Sequence, residues 1–206
     1  MTGALDGVKI IDMSAVIAGP MATQILGDQG AEIIKIETIG LGDMARWLGP
    51  QSHGLGAMFA AVNRNKRSIA LNLKEPRGKS VLLDLLRDAD LVVENYRPGA
   101  MARLGLDYET LRPLNPGLIY VEMSGFGQTG PYAKRRVYDP IIQAVSGFAD
   151  SQSDEQGVPQ LIQSIVADKV AALTVAQAMT AALYAKLRGQ GGQYIEFNML
   201  SAAIAF

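Results

Sequence analysis

The 206-residue sequence contains no cysteine, which excludes disulfides, thiol nucleophiles and cysteine-ligated zinc and fits a reducing compartment. It has a single histidine, His53, and no G-x-S-x-G elbow to accompany it. Any Ser-His-Asp relay must use that residue, yet it lies in a glycine-rich loop, where a histidine is ordinarily just solvated. Without a second histidine or acids clustered at ligand spacing, no metal site is expected. Neither sign of charge dominates: the net charge of −1 predicts no general attraction to nucleic acid or to an anionic membrane. Residues 1–7 carry no basic segment followed by an apolar one, so no signal peptide is expected. The longest apolar stretch, 170–183, is interrupted by Thr174, Gln177 and Thr180 and reads as too short to span a bilayer. These absences together predict a soluble, cytoplasmic protein with neither nucleic-acid nor membrane partners.

Apolar residues make up 49% of the chain and charged residues only 19%. That balance implies more buried surface than a small monomer usually has, supplied by a subunit interface or by protein outside this sequence. Exposed apolar surface and a tendency to dimerise or aggregate follow.

Apolar runs alternate with helical patterns. Strands are predicted at 8–13, 31–37, 68–73, 91–94, 118–123 and 193–197, and helices at 18–27, 76–88, 99–104, 108–112, 138–149 and 167–188. A further helix begins near residue 198. Residues 40–65, rich in glycine and proline, read as loop with one short helix, and the polar segment 150–160 as a surface loop. This order predicts an α/β fold with a Rossmann-like, doubly wound, mainly parallel sheet, in a single domain over 1–206.

Gly125-Phe126-Gly127-Gln128-Thr129-Gly130 matches the dinucleotide pattern G-x-G-x-x-G after a predicted strand. Pro131 follows at once, however, and no strand ending in an acid appears about 20 residues on. The segment reads as a flexible loop near a ligand. Gly78-Lys79-Ser80 resembles the end of a P-loop, but Leu73 stands where the first glycine is needed. Two basic runs, 63–67 and 134–136, join Arg46, Lys74, Arg97 and Arg103 at loops and element ends. Each run alone is more often a solvated face. Together they supply cations for a phosphate-rich ligand, with Asn95 and Tyr96 placed to meet a base.

Asp168 stands at the mouth of the long helix 167–188, where an acid is ordinarily an inert helix cap. A resemblance gives it another role. Leu5-Asp6-Gly7-Val8-Lys9-Ile10-Ile11-Asp12, Ala18-Gly19-Pro20 and the run 26–37 resemble the opening of the family III CoA-transferases. This group includes formyl-CoA transferase, carnitine-CoA transferases and α-methylacyl-CoA racemase. Segments 42–46, 65–69, 93–99, 124–127 and 189–196 agree in order. The resemblance implies CoA binding through Leu71, Lys74, Asn95, Tyr96, Arg103 and Arg136, with Ile17, Ala18 and Arg46 also on the CoA side. It implies acyl-CoA and a small carboxylic acid as substrates, and no permanently bound cofactor. Its catalytic aspartate falls on Asp168, with Tyr138 and Asp139 as neighbours. A carboxylate is ionised at neutral pH without a base, and a helix N-terminus favours the charge.

Departures narrow the reading. Racemases of the family place a histidine before an aspartate; here the pair is Tyr138-Asp139, which counts against α-proton abstraction. Formyl-CoA transferase has glutamine and arginine where this chain has Ile17 and Thr38, which counts against formyl-CoA or oxalate specificity. Family members run to roughly twice this length, with a small domain, a C-terminal return to the first sheet and an interlocked homodimer. The chain therefore reads as the large, CoA-binding domain, able to catalyse only where the missing half is supplied or not required. The alternative from another class is a half-protein that binds CoA without turnover.

Overall fold

The computed structural model describes residues 3–206. Its centre is a six-stranded, wholly parallel sheet. In chain order the elements are β1 (Lys9–Asp12), α1 (Ala18–Asp28), β2 (Glu32–Glu37), a 3-10 turn at Met44–Trp47, and the two-residue strands β3 (Gln51–Ser52) and β4 (Leu55–Gly56). Then come α2 (Ala57–Val62), β5 (Lys66–Ala70), α3 (Pro76–Arg87), β6 (Leu91–Glu94), α4 (Ala100–Leu104), α5 (Tyr108–Leu111) and β7 (Ile119–Ser124). The last are α6 (Asp139–Ser146), α7 (Phe148–Ser151), α8 (Val166–Ala185), β8 (Tyr194–Asn198) and α9 (Met199–Ala205). The strands lie in the order β5-β2-β1-β6-β7-β8, the doubly wound order that turns back on itself between β1 and β6.

The apolar runs form strands because both faces of the sheet are covered. On one face Ile10, Ile33, Val93, Val121 and Phe197 pack against α1, α8 and α9; on the other Ile11, Ile36, Val92 and Tyr120 pack against α3, α4 and α5. Pro76 sits in the first turn of α3, where its missing N–H is no loss. Alanine-rich α8 has high helix propensity and lies against α1, α6, α9 and the sheet. Each fully buried valine, leucine or methionine there contributes about 1.5–3 kcal/mol.

Several sequence expectations shift. The third expected strand runs over Lys66–Ala70 instead of 68–73, because its pairing with β2 already begins at Lys66, opposite Ile33. Residues 40–65 hold a 3-10 turn, a hairpin and α2 rather than loop with one helix. His53 (φ +51) and Gly54 (φ +76) make the hairpin's two-residue turn, which needs positive φ at both positions. The helix expected over 138–149 breaks at Gly147 (φ +94) into α6 and α7. By length and composition Val166–Gln190 is apolar enough to cross a membrane, against the shorter span read from the sequence. In this fold nine residues of α8 are buried in the protein. The expected exposed apolar surface is present: Leu173, Tyr184, Leu187, Ile204 and Phe206 are each more than half exposed.

Candidate active site

The connections leaving β1 and β6 run to opposite faces where the strand order reverses, and a crevice opens there in sheets of this topology. A cavity of about 310 Å³ occupies that place. The β1–α1 loop (Ala15–Ile17), Ala18, the segment Asn95–Pro98 after β6, the end of β7 and the loop Ala133–Tyr138 wall it. Asp168 of α8 joins them. Gly125 lets the last of these loops close in, because a Cβ there would lie 2.0 Å from Val137. Gly127 donates to Ser124 Oγ (2.9 Å) and Gln128 to Glu196 Oε1 (3.1 Å), so the Gly125–Gly130 segment folds back as a loop and opens no helix.

Asp168 lies in the first turn of α8, whose N-cap, Ile165, offers no side-chain acceptor. Asp139, at the start of α6, supplies one from another helix: its Oδ2 accepts the Asp168 N–H at 2.9 Å, while its Oδ1 accepts from Gln143 Nε2 at 2.5 Å. Gln143 also accepts the Ile162 N–H (2.9 Å) and donates to the Ser164 carbonyl (3.0 Å), fixing the chain that enters α8. Asp139 is thus buried and committed to capping, and Asp168 lines the cavity. Burial, and then the Asp139 charge, push the Asp168 carboxyl up to about 7. That direction runs against the expectation of a carboxylate fully ionised at neutral pH, because burial and then a like charge disfavour the ionised form.

The remaining expected site residues divide. Ile17, Ala18, Asn95, Tyr96, Arg136 and Tyr138 line the cavity with Asp168. Asn95 does so with its amide already engaged: Oδ1 accepts the Ala15 N–H and Nδ2 donates to the Ala15 carbonyl, both at 2.9 Å. It pins one wall to the other with one donor and one acceptor site of its amide. Leu71 and Lys74 follow β5, and Arg103 lies in α4; all three stand outside the cavity wall. Arg46 is also outside and is bound bidentately by Glu37, Nε to Oε2 at 2.7 Å and Nη2 to Oε1 at 2.6 Å. It stacks over Phe59 as well, 3.7 Å from the ring centroid.

The two basic runs part in the same way. In 63–67, Arg64 pairs with Asp28, Lys66 with Asp12 and Arg67 with Glu32. In 134–136 no member is ion-paired among the described residues, and with Arg97 the run brings four cations, Arg97, Lys134, Arg135 and Arg136, to one cavity. Sequence reasoning missed Glu94, Lys35 and Val16. Glu94 is buried at the end of β6, beside Glu122 on β7, and burial pushes its carboxyl up to about 8. Lys35 interrupts the apolar run Ile33-Ile34-Lys35-Ile36, and that interruption was its one visible signal. Val16 has none.

Such a site can hold a polyanionic ligand on its basic rim and present a partly desolvated carboxyl group to the ligand's reacting end. Comparison with known proteins names the family. Residues 5–206 match the model of CoA-transferase family III. The chain belongs to this family. It is 42% identical to the acetyl-CoA:oxalate CoA-transferase of Acetobacter aceti, over 99% of this chain and 53% of that protein. It is 41% identical to the succinyl-CoA:glutarate CoA-transferase of Homo sapiens, over 98% of this chain and 46% of that one. A CAIB/BAIF family protein from Brucella suis superposes with a TM-score of 0.94 at 37% identity, covering 100% of this chain and 55% of its own. The chain spans about half the length of the curated relatives it matches.

Proposed function

We propose that this chain carries the CoA-binding, nucleophile-bearing domain of an enzyme that moves CoA from an acyl-CoA donor to a small carboxylic acid. The observation that carries this reading is that Asp168 lines the switch-point cavity together with Arg97, Lys134, Arg135 and Arg136. A carboxylate oxygen of Asp168 attacks the thioester carbonyl, the C–S bond breaks, and CoA leaves as its thiolate. The thiolate then attacks the aspartyl carbonyl of the resulting mixed anhydride, releasing the donor carboxylate and leaving an aspartyl-CoA thioester. The acceptor carboxylate attacks that thioester, and the expelled thiolate takes the acceptor's acyl group, restoring Asp168. No proton moves in the cycle, so only the ionised form of Asp168 starts it. Arg97, Arg135 and Arg136 suit the phosphates of CoA, and Tyr96 offers a face for its organic part.

Protein outside these 206 residues, from a longer chain or from a second subunit of an interlocked homodimer, would complete the acyl pocket. The span of about half the relatives supports this. The lack of cysteine supports a cytoplasmic setting. A second reading is that these 206 residues bind CoA without turnover.

Intact-protein mass spectrometry after incubation with short acyl-CoAs separates the two, with Asp168→Asn as control. A hydroxylamine-sensitive adduct of CoA mass, absent from the control, is the expected result. Folded protein that binds CoA and forms no adduct would leave only the binding reading, and an adduct that survives in Asp168→Asn would overturn the role of Asp168.

A further inference from the structure

Three non-glycine residues adopt left-handed backbone angles among the described residues: Val16 (φ +72), His53 (φ +51) and Asn65 (φ +61). Asparagine and histidine tolerate that region, and His53 serves a hairpin turn. A β-branched valine does not, and it stays there only where its surroundings over-determine it. Val16 is in the β1–α1 loop and lines the cavity that Asp168 also lines.

Each residue of Ser14–Val16 is gripped by a side chain. Lys35 Nζ, from β2, donates to the Ser14 carbonyl at 2.7 Å, and Asn95 holds both polar groups of Ala15. Asp43 Oδ1 accepts the Val16 N–H at 3.0 Å and the Ala45 N–H at 2.9 Å. Asp43 Oδ2 faces Lys35 Nζ at 2.9 Å, and each of the two side chains is 1% exposed. Glu37 Oε2 accepts the Asp43 N–H at 2.8 Å, so the acid itself is anchored from β2. A loop needing only this backbone path would take it without strain using glycine. Valine puts an apolar branch on the cavity wall, and the buried ion pair keeps it there.

We propose that Asp43, locked by Lys35, is a positioning residue that holds Val16 in the left-handed conformation and so sets the cavity wall this loop contributes. Asp43 touches no reacting atom. Where ligand binding is concerned, the proposal rests on the CoA reading above; its conformational part does not.

The test uses the full 206-residue chain. Backbone NMR (the φ-sensitive HN–Hα coupling and the Cα and Cβ shifts of residue 16) reports the conformation, and calorimetry with CoA reports affinity. In Asp43→Ala, Val16 leaves the left-handed region while the β1, β6 and α8 signals persist, and CoA binds about tenfold more weakly, the order set by one strained residue. In the Val16→Gly background, where glycine takes the same angles freely, the same Asp43→Ala change weakens binding less than about threefold. A folded Asp43→Ala protein with Val16 still left-handed overturns the proposal. So does an equal loss in both backgrounds, the signature of a purely structural acid.

If Asp43→Ala does not fold, Val16→Gly alone decides: weaker CoA binding with unchanged or higher thermal stability is required, and unchanged affinity overturns the idea. Wild-type protein that takes up no CoA defeats the transferase reading instead, while the NMR result still decides the role of Asp43.

Discussion

On the β1–β2 side of the switch point, every buried carboxylate faces a cation; on the β6–α8 side the carboxyl groups face one another. Asp12, fully buried, accepts from Lys66 Nζ at 2.8 Å, from Thr23 Oγ1 at 2.8 Å and from Ser14, with Lys35 at 3.9 Å. Burial alone would raise its pKa, but the two lysines overcome it and hold the carboxyl well below the usual range. Glu37 behaves likewise: against burial, Arg46, Ser68 and the Asp43 N–H bring it down to about 2. Across the cavity, Asp168 beside Asp139 and Glu94 beside Glu122 have no such cations, and burial wins. The same physical term is present on both sides, and the partner decides its outcome. One side is fixed and inert. The other keeps raised carboxyl groups beside the cavity, the pattern that marks candidate functional sites.

Breaking the paired side should have the largest effect. Lys66→Met strips Asp12 of its closest cation, takes the donor from Asn63 Oδ1 and leaves the Pro20 carbonyl with Thr23 Oγ1 as its side-chain donor. Loss of about 3–5 kcal/mol is expected in denaturant unfolding at pH 7, since the buried Asp12 charge is left with only the more distant Lys35. The folded Asp12 pKa lies below its ordinary 3.8. Its stabilisation is therefore present above about pH 4 and lost as pH falls through the folded value, and the gap between wild type and variant should narrow in acid. A gap unchanged down to pH 2 would contradict this account.

Breaking the unpaired side should do the reverse. The folded pKa of Asp168, about 7, exceeds its ordinary 3.8. Between those values the unfolded chain has released the proton while the folded protein keeps it, so stability falls as pH rises through this window. Asp168→Asn is expected to gain about 1–2 kcal/mol at pH 8, less than the full shift implies because the group is partly exposed, and nothing near pH 4. A loss of stability at pH 8 would show that the helix dipole outweighs burial after all.

Asp139→Asn sharpens the contrast through reactivity. The wild-type rate of CoA-adduct formation should rise with pH through about 7 as Asp168 ionises. Removing the Asp139 charge should move that rise down by about one unit, leaving it above the ordinary carboxylate range because burial is the larger cause. The amide can accept only one of the two bonds now made to Asp139, so about 1 kcal/mol of stability goes with it. An unmoved profile would remove Asp139 from the electrostatics of the site.

Much of this arrangement is legible in the sequence, and the limit has a physical cause. The apolar runs 91–94 and 118–123 mark their strands, and Pro76 marks its helix, because those signals are local. Asp168 at a helix start is visible, and the family resemblance sets a catalytic reading beside that of an ordinary cap. Asp139 as that helix's cap is invisible, since its partner lies 29 residues away. The runs 63–67 and 134–136 look alike as strings of cations. Only the fold brings Asp12, Asp28 and Glu32 to the first and leaves the second facing a cavity. Lys35 reads as a solvated interruption of a strand until the loop above it is seen to need a donor.

The smallest effect belongs to Arg67, next in sequence to Lys66. Both are on β5 and both meet a carboxylate, Lys66 under the sheet with 2% of its side chain exposed and Arg67 on the surface with 71% exposed. Water screens the Arg67–Glu32 pair and solvates either partner when the other is removed, so Arg67→Ala should shift stability by less than about 1 kcal/mol. Raising the salt concentration should shrink that shift further while leaving the Lys66→Met loss nearly intact, because buried charges are beyond the reach of the ionic atmosphere. Comparable losses from the two neighbours would mean that pairing alone governs these charges. A wide separation means that burial sets what a pair is worth, and burial is also the larger cause that raises the Asp168 carboxyl.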